Sequence, residues 1–154
     1  MYYISIIQKV PDLGGGDDIP LSNFKNAKAI LIVNTASTDG YSESQLMQLA
    51  KLHNTYNNDG KGLEVLLFPC LQFGDREYHD ADKISSVYRR YARKMEHKFH
   101  LFGLVNTNNN REYGLREHPL YTYLKGQRDL RDIHWNFEKF LVVDGDVVGH
   151  YLPR

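Results

Sequence analysis

The stretch "ILIVNTASTDGYSES", residues 30–44, decides the fold, because it turns from a buried strand into a helix. The apolar run at 30–33 predicts a strand covered on both faces, which is typical of parallel sheets. Small residues then form a turn, and Ser42 with Gln45 fits a capping box at the start of a helix. Functional groups of α/β proteins often lie in such strand-to-helix turns. The carboxylate of Asp39, within this turn, is therefore a candidate functional group.

The length and composition of the chain favour a single-domain protein and exclude an internal disulfide. The 154 residues suit one domain with a hydrophobic core, and we predict a single domain over 1–154. Lys and Arg number 19 and so do Asp and Glu, so no net charge attracts the chain to nucleic acid or to a membrane surface. The only cysteine, Cys70, excludes an internal disulfide. The start "MYYISIIQKV" lacks the features of a signal peptide, and no apolar run approaches the ~20 residues of a membrane span, so we expect an intracellular protein, cytoplasmic or organellar.

Hydrophobic periodicity divides the chain into alternating strands and helices. The predicted strands cover 2–8, 29–36, 63–70 and 99–105, followed by a hairpin over 137–152 that turns at Asp144-Gly145. The predicted helices start at Ser42, cover 80–98, and cover 118–126 with Pro119 in the first turn. Residues 11–26 are predicted to form a loop. This order favours an α/β sheet with helices on its faces.

Four blocks of sequence resemble the glutathione peroxidase family. "LIVNTASTDG" resembles the family turn that carries the peroxidatic cysteine or selenocysteine, and "LEVLLFPCLQFGDRE" resembles its second signature. "EHPLYTYLK" and "WNFEKFLVVDGDVVGHY" are similar to two later blocks, in the family order. The resemblance implies a thioredoxin-like fold, with a central mixed sheet flanked by helices. It also implies reduction of hydroperoxides with glutathione or a thioredoxin-like protein as reductant.

The same resemblance assigns positions to the family's site residues. Asp39 takes the peroxidatic position and Arg76 the position of a catalytic Gln, while Trp135 and Asn136 match the family's Trp and Asn. Leu71 replaces an Asn of the second signature. In the family these groups surround the reactive sulfur or selenium and donate hydrogen bonds to its charged form. The replacements at two positions, one acidic and one basic, predict an ion pair between Asp39 and Arg76.

A carboxylate cannot pass through the sulfenic acid on which the peroxidase cycle depends. Cys70 is interpreted as a small buried side chain, and the helix at 80–94 contains no resolving cysteine. We therefore predict a catalytically inactive protein that acts as a structural or interaction subunit of a larger assembly. The alternative is an active glutathione- or thioredoxin-dependent peroxidase in which residue 39 is really Cys or selenocysteine, although the change at Arg76 argues against it.

Other chemistry has weaker support in the sequence. Asp39 with His134 is a conceivable base or nucleophile pair, but no serine or cysteine nucleophile accompanies it. Three histidines, His79, His97 and His100, are interpreted as separate surface residues, so no metal and no cofactor is expected. The helix face "YRRYARK" is interpreted as solvated rather than as a nucleic-acid site.

The quaternary expectations also come from the resemblance. Tetrameric family members carry an insertion before the Trp-Asn-Phe block, whereas only "GQRDLRDIH" precedes Trp135 here, so a family-type homotetramer is not expected. The resemblance extends to "GHYLPR", and the family's C-terminal helix is missing from this sequence. We expect the sheet face that this helix covers in the family to be buried by another protein subunit. The alternative is that the loop at 11–26 or the hairpin covers it.

Overall fold

The computed structural model describes residues 8–153, and its strands and helices follow the predicted order. The strands are β1 (Lys9–Val10), β2 (Ile19–Pro20), β3 (Ala29–Thr35), β4 (Leu63–Pro69), β5 (His100–Leu101), β6 (Lys139–Val143) and β7 (Asp146–Tyr151). The helices are a short 3-10 helix (Leu21–Phe24), α1 (Ser42–Tyr56), α2 (Ala81–Lys94) and α3 (Pro119–Gln127).

Five strands form the central sheet, in the order β5-β4-β3-β6-β7. Strands β3, β4 and β5 are parallel, whereas β6 is antiparallel to β3 and β7 is antiparallel to β6. The register pairs Thr35 with Pro69, so β3 and β4 end side by side. The predicted mixed sheet is thus confirmed, and the turns that follow β3 and β4 meet at one edge of it.

Strand β3 is buried on both faces, as its continuous apolar run predicts. Ile30 and Ile32 pack into a core with residues of α3, and Leu31 and Val33 pack on the opposite face with residues of α1 and α2. The N-terminal segment contributes Val10 and the 3-10 helix to the α3 side. The chain itself therefore covers both faces of the sheet at its centre.

The helix ends are set by local sequence. The carboxylate of Asp80 accepts hydrogen bonds from the backbone N–H groups of Asp82 and Lys83, which caps α2. Helix α3 begins with Pro119, which is favoured in the first turn of a helix. The tight turn at Asp144 and Gly145 has positive φ at both residues, 52° and 85°, as predicted for the hairpin.

Three local predictions are wrong or not covered. Ser42 and Gln45 form no capping box: the Ser42 hydroxyl donates to the carbonyl oxygen of Ala36, and the Gln45 side chain donates to the carbonyl oxygen of Pro153. The strand predicted at 99–105 is reduced to the two residues of β5, although the N–H groups of Phe102 and Val105 still donate to the carbonyl oxygens of Leu67 and Pro69 in β4. The strand predicted at 2–8 lies outside the described residues except for Gln8.

The sheet face on the α1 side is less covered at β6 and β7 than at its centre. Leu141 of β6 is half-buried, and Val148 of β7 is 53% exposed. Towards β3 the same face is buried beneath α1 and α2. On this face, the exposed apolar residues therefore lie at β7 and not at the centre of the sheet.

Candidate functional site

The turn after β3 places Asp39 immediately before α1. Its backbone carbonyl accepts a hydrogen bond from the N–H of Ser42 at 3.0 Å, and its Oδ1 accepts one from the N–H of Tyr41 at 2.8 Å. The residue is only 8% exposed. Asp39 thus satisfies the N–H of the first helical residue and that of the residue before it, and its negative charge is favoured there by the helix dipole.

Two further donors converge on the other carboxylate oxygen of Asp39. The indole Nε1–H of Trp135 donates to Oδ2 at 2.7 Å, and the amide Nδ2 of Asn136 donates to the same oxygen at 3.2 Å. Asn136 also donates to the backbone carbonyl of Phe73 at 3.2 Å. The structure therefore brings together three of the four predicted site residues, Asp39, Trp135 and Asn136.

The loop that carries Trp135 is fixed to the end of β3. The Asn34 side chain donates to the carbonyl oxygen of Trp135 at 3.0 Å, and the N–H of Phe137 donates to the carbonyl oxygen of Asn34 at 2.6 Å. Buried Glu138 accepts from the backbone N–H of Trp135 at 3.2 Å. Sequence reasoning did not single out Asn34 or Glu138, although a buried polar residue in an apolar strand is a signal for such a role.

Gly74 lies directly against the indole. Its φ is +66°, and a Cβ added there would come 2.7 Å from an atom of the Trp135 ring. Glycine is therefore required at this position for two reasons, the left-handed backbone and the close approach of the ring.

Arg76 does not join the site, so the predicted ion pair with Asp39 is wrong. Within residues 8–153 the ion pairs closer than 4.0 Å do not include these two side chains, and Arg76 is exposed. Only its backbone participates: the carbonyl oxygen of Arg76 accepts from Thr38 N at 2.9 Å and from Thr38 Oγ1 at 2.7 Å. The donors from Trp135 and Asn136 already complete the Asp39 carboxylate, which removes the need for a guanidinium.

Cys70 is buried at the end of β4, with its Sγ 3.6 Å from Oε1 of Gln72. Burial raises the pKa of the Cys70 thiol above its usual value, which disfavours the reactive thiolate. Leu71, the next residue, is half-buried beside a cavity that Gln72 also lines. This environment matches the predicted role of Cys70 as a small core side chain.

A second buried carboxylate, Glu77, lies near the same turns. It accepts a hydrogen bond from the Tyr88 hydroxyl at 3.1 Å and one from the N–H of Tyr78 at 2.8 Å. The Tyr88 hydroxyl oxygen also lies 2.6 Å from Thr35 Oγ1, and because the single hydrogen of Tyr88 is directed to Glu77, the threonine hydroxyl is the donor of this second hydrogen bond. Burial raises the pKa of Glu77, because its charged form is partly removed from water.

The interpretation of the histidines as separate surface residues holds for His79, which is exposed, and is wrong for His97 and His100. His97 and His100 lie in a cluster with His53 and Glu64. The cluster is at the start of strands β4 and β5, whereas Asp39 lies beyond the end of β3. Burial lowers the pKa of His53, and burial with the nearby imidazoles lowers that of His97 to about 4. Sequence spacing did not reveal the cluster, because its members come from three different elements.

The alternative pair of Asp39 with His134, which the sequence left conceivable, is not formed. His134 is exposed, and its backbone N–H donates to Glu138 at 2.7 Å. The hydrogen-bond partners of Asp39 are Tyr41, Trp135 and Asn136. All three present N–H groups, so the site stabilises a negative charge but supplies no base or acid beside it.

The part of the chain that the structure describes contains no helix that is both long and apolar enough to cross a membrane. The longest helix, α1, has 15 residues and several polar positions.

The sequence profile of the glutathione peroxidase family matches residues 6–125 of this chain. A probable phospholipid hydroperoxide glutathione peroxidase from Mesembryanthemum crystallinum is 40% identical over 142 residues, which cover 90% of this chain and 77% of that protein. The glutathione peroxidase homolog BsaA of Bacillus subtilis is also 40% identical, over 145 residues that cover 90% of this chain and 82% of the relative.

Solved structures agree with these sequence matches. The crystal structure of Trgpx in its apo form aligns with a TM-score of 0.66 and 31% identity, over 95% of this chain and 82% of that one. A thioredoxin-family thiol:disulfide interchange protein from Chlorobium tepidum aligns with a TM-score of 0.60 over 94% of this chain and 81% of that one, at 12% identity, which shows the fold alone. The expected thioredoxin-like fold is thus confirmed, and the chain belongs to the glutathione peroxidase family.

Proposed function

We propose that this chain is a glutathione-peroxidase-like protein without peroxidase activity, in which Asp39 occupies the peroxidatic position. The observation that carries the proposal is the pair of hydrogen bonds from Trp135 and Asn136 to the same oxygen of Asp39. By motif, these are the two family residues that surround the reactive sulfur or selenium. A carboxylate here receives the hydrogen bonds that would otherwise stabilise a thiolate or selenolate.

The chemistry of peroxide reduction requires an atom that accepts oxygen and later releases it. Sulfur does so through a sulfenic acid, which a thiol then reduces, whereas a carboxylate oxygen has no corresponding state. Asp39 keeps the negative charge of the site and loses its redox chemistry. Arg76, at the position of the family's catalytic Gln, is exposed and does not contact the Asp39 carboxylate.

Cys70 does not replace the lost nucleophile. It is buried and its pKa is raised, so the thiolate is a minor species at neutral pH. It is also the only cysteine of the chain, so no second thiol of this protein can resolve a sulfenic acid on it.

We further propose that the protein serves as a structural or interaction subunit that binds another protein through the edge of the sheet at β7. Val148, Tyr151 and Leu152 are each at least half exposed in this region, and exposed apolar residues in one area are typical of interaction surfaces. The family-type homotetramer is not expected. Light scattering of the purified chain tests this point, and a tetramer would contradict it.

A coupled assay with matched variants tests the loss of activity. NADPH oxidation is followed with hydrogen peroxide or a lipid hydroperoxide, using glutathione with its reductase or thioredoxin with its reductase. The natural chain is expected to remain at the rate of buffer. The double variant Asp39→Cys/Arg76→Gln is expected to exceed that rate, because Trp135 and Asn136 are already placed to stabilise a thiolate.

Asp39→Ser is the control, since serine resembles cysteine in size but forms no sulfenic acid. Turnover by the natural chain would contradict the proposal, and its disappearance in Cys70→Ser would identify Cys70 as the nucleophile. The intact mass of the protein purified from its natural source distinguishes Asp39 from the alternative, a cysteine or selenocysteine at residue 39.

A further inference from the structure

A cluster of histidines lies at the edge of the sheet opposite Asp39. His53 is in the last turn of α1, Glu64 is the second residue of β4, and His100 is the first residue of β5. Glu64 and His100 are close because β4 and β5 are neighbouring parallel strands. The end of α1 brings His53 to the same point. None of these residues belongs to the site around Asp39.

The three side chains face one another at short distances. Oε2 of Glu64 is 3.0 Å from Nε2 of His53 and 2.6 Å from Nε2 of His100. One ligand-type atom from each residue lies within 4.8 Å of those of the other two. The side chains of His53 and Glu64 are 4% and 8% exposed, whereas that of His100 is 38% exposed. The cluster is therefore buried on one side and open to solvent on the other.

The hydrogen bonds around His53 define which of its nitrogens carries hydrogen. The amide of Asn54 donates to the carbonyl oxygen of Met95 at 3.0 Å, so its Oδ1 is the atom that faces Nδ1 of His97, at 2.6 Å. In the neutral cluster His97 must donate from Nδ1 and accept at Nε2. Nδ1 of His53, 3.2 Å from that Nε2, is then the donor. The remaining nitrogen of His53, Nε2, presents a lone pair to Glu64.

The side-chain amide of Asn57 is within hydrogen-bonding distance of this lone pair, but it must also serve other acceptors. Its Oδ1 accepts from the N–H of Gly60, so its Nδ2 faces the cluster. This Nδ2 has three acceptors within reach: His53 Nε2 at 3.0 Å, Glu64 Oε1 at 3.0 Å and the carbonyl oxygen of Leu63 at 3.1 Å. An amide NH₂ has two hydrogens, so at least one acceptor is left without a hydrogen from it. The cluster holds more acceptors than donors, which is the condition that a cation relieves.

We propose that Nε2 of His53, Oε2 of Glu64 and Nε2 of His100 bind a divalent transition-metal ion, for which Zn²⁺ is the best match. Two imidazoles and one carboxylate form a common set of protein ligands for zinc. Ligand atoms about 2.0–2.1 Å from a tetrahedral Zn²⁺ lie about 3.3 Å apart, so Oε2 of Glu64 needs to move about 0.3 Å away from Nε2 of His53 and about 0.7 Å away from Nε2 of His100. The proposal departs from the expectation of no metal site.

The surroundings supply the other features of a metal site. His97 and Asn54 are positioning residues, because their hydrogen bonds fix the tautomer of His53 that offers Nε2 to the metal. A cavity of about 610 Å³ adjoins the cluster and is lined by His53, His97 and His100. It leaves the fourth coordination position accessible to water or a small ligand.

Metal binding is tested on the full chain after removal of any affinity tag and treatment with a chelator. Zn²⁺ is titrated in competition with a chromophoric chelator, and Co²⁺ provides a visible absorption spectrum that reports coordination by nitrogen and oxygen. The natural protein is expected to bind one equivalent of Zn²⁺ and to show a raised Tm in its presence. His100→Ala is expected to weaken binding at least 100-fold, and His97→Phe, which removes a positioning residue, about 10–100-fold.

His79→Ala is the matched control, because His79 is exposed and outside the cluster, and it should leave the affinity unchanged. Circular dichroism of the metal-free variants verifies that each is folded. The partial exposure of His100 makes its truncation compatible with folding. Failure of the natural protein to bind one equivalent of Zn²⁺, or an equal affinity in folded His100→Ala, would overturn the proposal.

Discussion

A buried carboxylate lies at each end of the central strands, Asp39 at one end and Glu64 at the other. Both are close to nitrogen atoms, but the hydrogen-bonding capacity of those nitrogens differs. After β3, the Asp39 carboxylate accepts hydrogen bonds from the indole Nε1–H of Trp135, the Nδ2–H of Asn136 and the backbone N–H of Tyr41, and these three N–H groups can only donate. At the start of β4, Glu64 meets imidazoles, which can donate or accept.

This difference determines whether each of the two carboxylates can bind a further proton or metal ion. A carboxylate surrounded by obligate donors is complete, and its charge is stabilised by the chain itself. A carboxylate surrounded by imidazoles can share a proton or a metal ion with them. Each site contains one buried carboxylate, so a count of acidic residues does not distinguish them. The type of nitrogen beside each carboxylate does.

The largest expected effect comes from turning each carboxylate into its amide. Asp39→Asn places an NH₂ group against N–H donors in either orientation of the amide, so we expect a loss of about 2 kcal/mol in the free energy of unfolding. Glu64→Gln in metal-free protein can donate to the lone pair on His53, so we expect a loss below about 1 kcal/mol. Urea denaturation at neutral pH measures both.

Asp17→Asn, at an exposed position, is the reference for a change of charge alone. A loss in Glu64→Gln as large as that in Asp39→Asn would show that the imidazoles act as donors, and the proposed tautomer of His53 would be wrong.

A smaller difference, about 1–2 kcal/mol in the free energy of unfolding, is expected between Gly74→Ala and Gly114→Ala, and it tests the packing of Trp135 beside Asp39. Gly74→Ala introduces a Cβ about 2.7 Å from the Trp135 ring, and Gly114→Ala has the same φ of +66° with no atom within 4 Å. Both should pay the backbone cost of about 1 kcal/mol, and only Gly74→Ala should lose a further 1–2 kcal/mol and shift the fluorescence of Trp135. Equal losses in the two variants would indicate that the ring moves aside freely.

The smallest expected effect is the contribution of Glu77 to the pH dependence of the free energy of unfolding. Its pKa is raised on folding, so the folded state holds the proton more tightly than the unfolded state. The stability is then fully present below about pH 4.5, the usual pKa, and is lost as the pH rises through the folded pKa.

Glu77→Gln should remove this slope, with a change at pH 7 of no more than about 1 kcal/mol. Urea denaturation from pH 4 to 7 measures the slope, with exposed Glu112→Gln as the control. An unchanged slope in Glu77→Gln would assign the pH dependence to other groups.

The sequence predicted most of the fold, because apolar periodicity and turn residues act locally. The strand at Ala29–Thr35 and the hairpin turn at Asp144-Gly145 follow from their own residues. The capping box at Ser42 was wrong because the N-cap position falls on Tyr41, so Ser42 is already the first residue of the helix and its hydroxyl donates to the carbonyl oxygen of Ala36. The local pattern could not show this one-residue difference, because it depends on how the preceding turn folds back.

Three of the four predicted site residues come together, and the fourth, Arg76, does not. Motif similarity brought Trp135 and Asn136 to Asp39, as the structure has them. Opposite charge then suggested Arg76 as a partner, although nearby donors already satisfied the carboxylate. The histidine cluster was missed, because His53 and His100 are 47 positions apart in the chain and approach only where the end of α1 meets the paired strands β4 and β5.

The hydrogen bond from the N–H of Phe137 to the carbonyl oxygen of Asn34 allows the opening of the loop beside Asp39 to be measured. Trp135, Asn136 and Phe137 are consecutive, and the carbonyl of Trp135 is also held by Asn34, so the loop cannot swing away from Asp39 without parting Phe137 from β3. Deuterium exchange at the Phe137 amide therefore sets an upper limit on how often this loop opens away from Asp39.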